Sequence, residues 1–236
     1  DLEGAEYSVA SIDEKDLKKT PPAPFTTSPL QQEGARKLGF SVKQTMAVAQ
    51  QLYEGVSLGK GEGMSGLITY MRTDSVTLSQ KALADAKQTI EQHYGREYVL
   101  SEPRTDKNKS KGAQEAHEAI RPTEVSRTPQ SLAGVLDHQQ LKLYTLIWNR
   151  TMATQMAAAE LKRVGADIKA RNYTFRATGQ TVTFDGFMRV YQEGRDEGDA
   201  KKDDDVEPGE KLLPPLKEGE ALNLTEPLKT EQHFTK

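Results

Sequence analysis

The amino-acid sequence predicts an α+β fold, with a mainly helical domain inserted into an antiparallel β domain. Three observations predict it. From about residue 27 to about residue 157, apolar positions recur three and four apart, the helical period. Beyond residue 157 they alternate, the period of a half-buried strand. A further strand candidate, residues 6–12, with Tyr7, Val9 and Ser11 on one face, lies ahead of the helices. The β domain is therefore expected to be discontinuous, over 1–26 and 158–236, with the helical domain at 27–157.

Each element has a local cause. After the first strand, Pro21-Pro22-Ala23-Pro24 stiffens the backbone and disfavours helix, which marks a boundary. Ser28-Pro29-Leu30-Gln31 reads as an N-cap, a first-turn proline and a capping-box glutamine, with Gly39 as the stop. Ser41-Val42-Lys43-Gln44 opens a second helix, with Val42, Met46, Ala49 and Leu52 at helical spacing and Gly55 at its end. Gly59, Gly61, Gly63 and Gly66 make a loop, and 67–72 reads as a short strand or extended segment. Thr77-Leu78-Ser79-Gln80 caps a third helix, lined by Leu83, Ala86, Ile90 and Tyr94 and stopped by Gly95. A short helix is expected around 114–120, closed by Pro122. A longer one starts near Asp137, with Leu141, Tyr144, Trp148 and Met152 on its apolar face. The alternation runs through Val164, Ala166, Ile168 and Ala170, then Tyr173, Phe175 and Ala177, then Val182 and Phe184. Turns are expected at Asn172 and Gly179, and the pattern resumes over 220–224.

Charge is unevenly spread. Residues 193–210 hold nine acidic side chains against Arg195, Lys201 and Lys202, a net of −6 in a chain of net −3, which leaves +3 elsewhere. The acidic stretch reads as a surface insertion lying away from any DNA path. The body is mildly basic, which permits nucleic-acid binding without demanding it. The absence of cysteine excludes disulfides, zinc ribbons and thiol catalysis within the chain. No apolar run approaches the roughly 18 residues of a membrane span, and no signal peptide is present. The chain opens on Asp1, without an initiator Met, and reads as a piece of a longer protein.

Two decapeptides could carry chemistry. In Gly66-Leu67-Ile68-Thr69-Tyr70-Met71-Arg72-Thr73-Asp74-Ser75, an extended backbone puts Tyr70, Arg72 and Asp74 on one face. A tyrosine hydroxyl can attack a phosphodiester, but with a pKa of about 10 it needs a cation nearby. Arg72 suits phosphate because its planar fork donates two bonds at once, and Asp74 could orient it. A tyrosine near an arginine is also ordinary in any strand. In Gln114-Glu115-Ala116-His117-Glu118-Ala119-Ile120-Arg121-Pro122-Thr123, a helix would put His117 and Arg121 on one face, both able to donate to phosphate. The plainer reading is a solvent-exposed helix with Glu118 and Arg121 in a weak pair. Between the two, Arg104, Lys107, Lys109 and Lys111 give the loop 104–111 a net charge of +3 against Asp106, enough to track a DNA backbone or simply to be solvated.

As a pair, these segments resemble the signatures of one family. Residues 66–75 resemble the active-site segment of bacterial type IA DNA topoisomerases, and 114–123 the family's second signature downstream. Residues 20–28 and 30–33 resemble the lead into that family's helical domain, and 146–150 with Gln155-Met156 its end. Residues 184–187 and 233–236 resemble the β domain that follows. The resemblance implies that Tyr70 is the nucleophile and holds the 5′ side of a broken strand as a phosphotyrosine. It implies that Arg72 neutralises the scissile phosphate and His117 hydrogen-bonds DNA phosphate, and it places Asp74 and Arg121 at DNA-binding motif positions. It implies a β arch domain and a tyrosine-bearing domain with a winged-helix-like core. It also implies a TOPRIM domain elsewhere in the same chain, whose acidic cluster would hold Mg²⁺ in the full-length enzyme, with the metal ligands outside this piece. The partners implied are single-stranded and negatively supercoiled DNA, in a bacterial cytoplasm and with no membrane. The reaction implied is supercoil relaxation without ATP, for which the isolated piece would not suffice.

Other readings remain open at this point. A reverse gyrase carries related signatures. A single-stranded DNA-binding module without catalysis fits the same composition. A tyrosine recombinase also uses Tyr, His and Arg, but there the tyrosine follows an H-x-x-R pair, whereas Tyr70 precedes His117 and Arg121.

Overall fold

Helix α1 (Thr27–Leu38) begins two residues earlier than its sequence suggests, with Thr26 rather than Ser28 as N-cap. Thr26 makes no side-chain cap bond. A tertiary bond replaces it: the Thr27 amide donates to the Thr73 carbonyl at 3.0 Å. Ser28 and Pro29 fall inside the first turn, where proline costs no hydrogen bond. Gly39 ends the helix in the left-handed conformation at φ 66°, which a side chain would resist, and its amide returns to Ala35. Helix α2 (Val42–Glu54) is capped by Ser41, as its sequence indicates, and α3 (Gln80–Tyr94) by Ser79, within the expected capping segment 77–80. Between them lies a two-residue hairpin, β2 (Val56–Ser57) with β3 (Met64–Ser65). The short α4 (Pro129–Leu132) precedes α5 (His138–Thr154), where Asp137 and Gln140 form a reciprocal capping box.

The computed structural model describes residues 2–59, 63–106, 117–194 and 213–225. Two units emerge, one of Lys19–Ala159 with Asp185–Ala200, the other of Asp1–Lys18, Glu160–Phe184 and Lys201–Lys236. In the helical unit, α5 packs against α1, α2, α3 and α4. Leu30, Leu52, Leu67, Ile68, Ile90, Ile120, Leu143, Tyr144, Ile147, Met152 and Met156 are fully buried there. Each contributes about 1.5–3 kcal/mol of burial. The lead-in segment is held by a charged group inside this core. Arg150 donates to the Ala23 carbonyl at 2.6 Å, to the Tyr191 hydroxyl at 2.9 Å and to Glu193 at 3.0 Å, and lies over the Phe25 ring at 4.7 Å. Tyr191 in turn donates to buried Glu33 at 2.8 Å.

Two expectations fail in this unit. Of the helix expected around 114–120, residues 114–116 lie outside the described residues, and 117–120 are not helical. Ile120 donates to the Phe25 carbonyl at 2.8 Å and Ala119 to the Thr77 carbonyl at 2.9 Å, so tertiary pairing takes the amides that a helix would use. Pro122 also disfavours helical backbone at Arg121. Residues 67–72, expected as a short strand or extended segment, form no regular strand: Ile68 bridges Pro122 and the chain bends at Met71 and Arg72.

The second unit is a four-stranded sheet of order β5-β4-β1-β6, comprising β1 (Tyr7–Lys19), β4 (Ala159–Ala170), β5 (Tyr173–Phe184) and β6 (Ala221–Leu222). β4 and β5 form one long antiparallel hairpin, turning at Arg171 and Asn172. Gly179, expected at a turn, instead pairs with Val164 inside β5. β1 runs seven residues beyond the expected 6–12. Its polar second half is matched by partners on the neighbouring hairpin: Asp13 with Arg176 at 2.6 Å, Glu14 with Lys162 at 2.6 Å and Lys18 with Glu160 at 3.1 Å. The core is thin, with Val9, Leu161, Ala166 and Ala170 buried. The expected surface insertion at 193–210 lies almost wholly outside the described residues, as does 233–236. No helix among the described residues is long and apolar enough to cross a membrane.

Candidate active site

Segment 66–75 is suspended by backbone bonds at closely spaced points. Leu67 donates to the Leu52 carbonyl of α2 at 2.7 Å, and Thr69 to the Arg121 carbonyl at 2.9 Å. The Thr27 hydroxyl accepts from the Thr73 amide at 2.9 Å and lies 3.0 Å from the Met71 carbonyl and 3.1 Å from that of Thr73. Gly66 is required where the chain enters, because a Cβ there would stand 2.6 Å from the Tyr53 carbonyl oxygen. Met71, Thr73 and Ser75 are buried, whereas Tyr70, Arg72 and Asp74 between them are exposed. The alternation puts all three candidates on the solvent side of a fixed backbone. Among the described residues, neither the Tyr70 hydroxyl nor the Arg72 guanidinium has a hydrogen-bond or ion-pair partner.

Burial separates Tyr70 from most other tyrosines. Burial pushes the Tyr144, Tyr191 and Tyr94 phenols up, and the hydrogen bond to Asp185 with burial does the same at Tyr98. Such groups resist forming the phenolate that attacks phosphorus. Tyr53, Tyr70 and Tyr173 are exposed, at 42%, 48% and 46%. Of these, Tyr70 alone has, two residues away, an exposed arginine with no ion-pair or hydrogen-bond partner among the described residues.

The second segment pairs with the first. Thr123 donates to the Leu67 carbonyl at 2.9 Å, and its hydroxyl to the Gly66 carbonyl at 2.8 Å. The Thr69 hydroxyl donates to the Ala119 carbonyl at 2.6 Å and accepts from the Arg121 amide at 3.0 Å. Arg121 is turned inward. Its guanidinium donates to Glu118 at 2.6 Å, to the Pro122 carbonyl at 2.8 Å and to the Ser79 hydroxyl at 3.3 Å. Glu118 also accepts from the Ser79 amide at 2.8 Å, at the start of α3. Burial alone would raise the Glu118 carboxyl, but the bonds from Arg121 and Ser79 outweigh it and hold it below the ordinary glutamate value. The pair expected on an exposed helix thus exists, but as a part-buried clamp between an extended segment and a helix N-terminus. His117 is exposed at the head of this segment.

Arg104 is engaged in the interior, donating to the Thr154 carbonyl at 3.0 Å, with Gln155 bonded to its backbone. Lys107, Lys109 and Lys111 lie outside the described residues. Among the described residues, no three His, Asp or Glu side chains gather in a way that could hold a metal ion. The described part of the chain therefore offers no Mg²⁺ cradle.

A family model described as DNA topoisomerase matches residues 1–236. The chain belongs to the type IA DNA topoisomerases. It is 49% identical over 236 residues to DNA topoisomerase 1 of Rickettsia felis, covering 99% of this chain and 29% of that protein. It is 49% identical over 228 residues to DNA topoisomerase 1 of Xylella fastidiosa, covering 96% of this chain and 27% of that one. The solved full-length topoisomerase I of Thermotoga maritima is similar at 37% identity and a TM-score of 0.70, over 92% of this chain and 32% of that one. The chain thus spans under a third of the length of these type IA relatives.

Several residues that shape this topoisomerase segment were invisible to sequence reasoning. Thr27, Thr69 and Ser79 act through single hydroxyls in long-range bonds, and no spacing rule connects Thr27 with Thr73. A signal existed only for Ser79, as a helix cap. Tyr53 was not singled out, yet its ring lies 5.3 Å from that of Tyr70 at 66°.

Proposed function

We propose that this chain carries the strand-breaking tyrosine of a type IA DNA topoisomerase. Tyr70 attacks the phosphorus of a single-strand phosphodiester. The bond from its phenolic oxygen to phosphorus forms as the bond to the 3′ oxygen breaks. The phenol loses its proton and the departing 3′ hydroxyl gains one. One phosphodiester replaces another, so the 5′ end stays attached as a phosphotyrosine and the 3′ hydroxyl can reverse the step without ATP. Passage of DNA through the break before resealing relaxes negative supercoils. Arg72 neutralises charge building on the scissile phosphate, the kind of interaction worth most where charge develops. His117 holds a neighbouring phosphate, and Asp74 and Lys107, Lys109 and Lys111 flank the strand's path.

The observation that carries this reading is the exposed pair of Tyr70 and Arg72, whose polar groups have no hydrogen-bond or ion-pair partner among the described residues, on a backbone pinned from several sides. Arg121 acts as a brace on this reading, since Glu118, Ser79 and two carbonyls occupy its guanidinium. The helical unit corresponds to the tyrosine-bearing domain with a winged-helix-like core, and the sheet to the β arch domain. The TOPRIM domain elsewhere in the enzyme brings the Mg²⁺ that full activity requires, in a bacterial cytoplasm beside the nucleoid. The isolated chain binds single-stranded DNA weakly and does not relax plasmid.

The test is covalent trapping. The chain is combined with the TOPRIM part of the enzyme and Mg²⁺, incubated with a single-stranded oligonucleotide and quenched with denaturant. A 3′ label is expected to migrate with protein, and a 5′ label to leave on a shortened free strand. Tyr70→Phe removes the adduct. A protein band carrying the 5′ label, or one that survives in Tyr70→Phe, contradicts the reading.

A further inference from the structure

The hairpin after α2 brings a second exposed tyrosine against Tyr70. Tyr53 is the penultimate residue of α2. Its ring meets that of Tyr70 edge-on, at 5.3 Å between centroids and 66° between planes. The contact is imposed by the backbone beneath it. Gly55, at φ 123°, lets the chain leave the helix; β2 and β3 turn it back, and Leu67 closes onto the Leu52 carbonyl. Gly66 then passes so close to the Tyr53 carbonyl that no Cβ fits. Neither ring is buried, at 42% and 48% exposure, so core formation does not account for an aromatic residue at Tyr53.

We infer that Tyr53 is a positioning residue for Tyr70, a role that rests on Tyr70 being the nucleophile. An exposed tyrosine samples up to three staggered χ1 wells, and only some of them present its oxygen on the Arg72 side. A ring held edge-to-face against it selects one, because the positive edge of one ring is attracted to the negative face of the other. The hydroxyl of Tyr53 has no part in this, and Tyr53 does not touch the reacting atoms. Tyr53 therefore raises the fraction of Tyr70 poised for attack and leaves DNA affinity alone.

The test uses the full-length topoisomerase carrying this chain, with single-turnover cleavage of a single-stranded oligonucleotide at saturating DNA. Tyr53→Ala is expected to slow cleavage about three- to tenfold, from losing one preferred well and the ring attraction. DNA affinity and unfolding temperature stay at the wild-type values. Tyr53→Phe restores the rate, and Tyr53→Leu, which keeps bulk without a ring, does not. If Tyr53→Ala lowers the unfolding temperature, the Phe and Leu variants carry the test. A wild-type rate in Tyr53→Leu, or a Tyr53→Phe as slow as Tyr53→Leu, overturns the inference. Tyr70→Phe in the same assay separates the two readings. Residual adduct in it refutes Tyr70 as nucleophile, whereas its complete loss beside a fully active Tyr53→Leu refutes only the positioning role.

Discussion

Segments 66–75 and 117–123 both lie outside helices and regular strands and hydrogen-bond to each other, yet they dispose of their polar side chains in opposite ways. The first leaves the Tyr70 hydroxyl and the Arg72 guanidinium in solvent without hydrogen-bond or ion-pair partners among the described residues, while its backbone and threonines do the binding. The second turns Arg121 and Glu118 onto each other and onto Ser79, with Arg121 only 12% exposed. Two arginines in neighbouring segments therefore have different fates. A guanidinium already supplied with acceptors gains little from a phosphate, whereas an unpaired one has its donors available. On the proposed reading, the first segment does the chemistry and the second holds it still.

That division can be broken experimentally. Arg72→Ala in the full-length enzyme is expected to lower single-turnover cleavage about a hundredfold, the usual loss on removing one donor to developing charge. Its stability should stay within about 0.5 kcal/mol of wild type, because the side chain is exposed. Arg121→Ala should do the reverse. It strands Glu118 and costs about 2 kcal/mol in denaturant unfolding, with a smaller loss of cleavage at temperatures where the fold persists. Equal effects of the two variants on cleavage, with no loss of stability at Arg121, would erase the contrast. Thr69→Val removes one donated and one accepted bond between the segments, and should cost about 1 kcal/mol in the same unfolding measurement.

The smallest effect is pH-dependent. The folded Glu118 carboxyl titrates below its unfolded value of about 4.3. The clamp's contribution is therefore complete above that value and is lost as pH falls through the lower, folded one. Wild type should exceed Glu118→Gln in unfolding temperature at pH 7, and the gap should narrow as pH falls below the ordinary glutamate range. A gap that persists in acid would mean that the carboxylate charge is not what holds Arg121.

Much of the helical unit could be read from local chemistry. Ser41 is a cap in the sequence and in the structure, the caps Ser79 and Asp137 lie where the sequence places helix starts, and the apolar period identified the helices that follow them. The errors arose where distant backbone competes with local preference. Residues 117–121 have helical charge spacing, but Phe25 and Thr77 claim their amides. The far half of β1 carries too little apolar alternation to be seen as a strand, and it pairs through Asp13, Glu14 and Lys18 instead. At the site, the expected alternation holds, with Tyr70, Arg72 and Asp74 exposed and Met71, Thr73 and Ser75 buried, although the chain bends at Met71 and Arg72 instead of forming a strand. The inward turn of Arg121 was not legible, because its partner Ser79 lies forty-two residues away. The contact of Tyr53 with Tyr70 depends on a hairpin of only two residues per strand, which leaves no periodic signal.

Which tyrosine accepts the phosphate is the most direct question to put to the molecule, since Tyr53 and Tyr70 are both exposed and touch. Trypsin would release them separately, because Lys43, Lys60 and Arg72 put Tyr53 in 44–60 and Tyr70 in 61–72. The adduct formed by the full-length enzyme would be digested with nuclease and trypsin and sequenced by mass spectrometry. A nucleotide on Tyr70 in peptide 61–72, with 44–60 unmodified, is the expected result. A nucleotide on Tyr53, or on any other tyrosine, would contradict the assignment of Tyr70 as nucleophile.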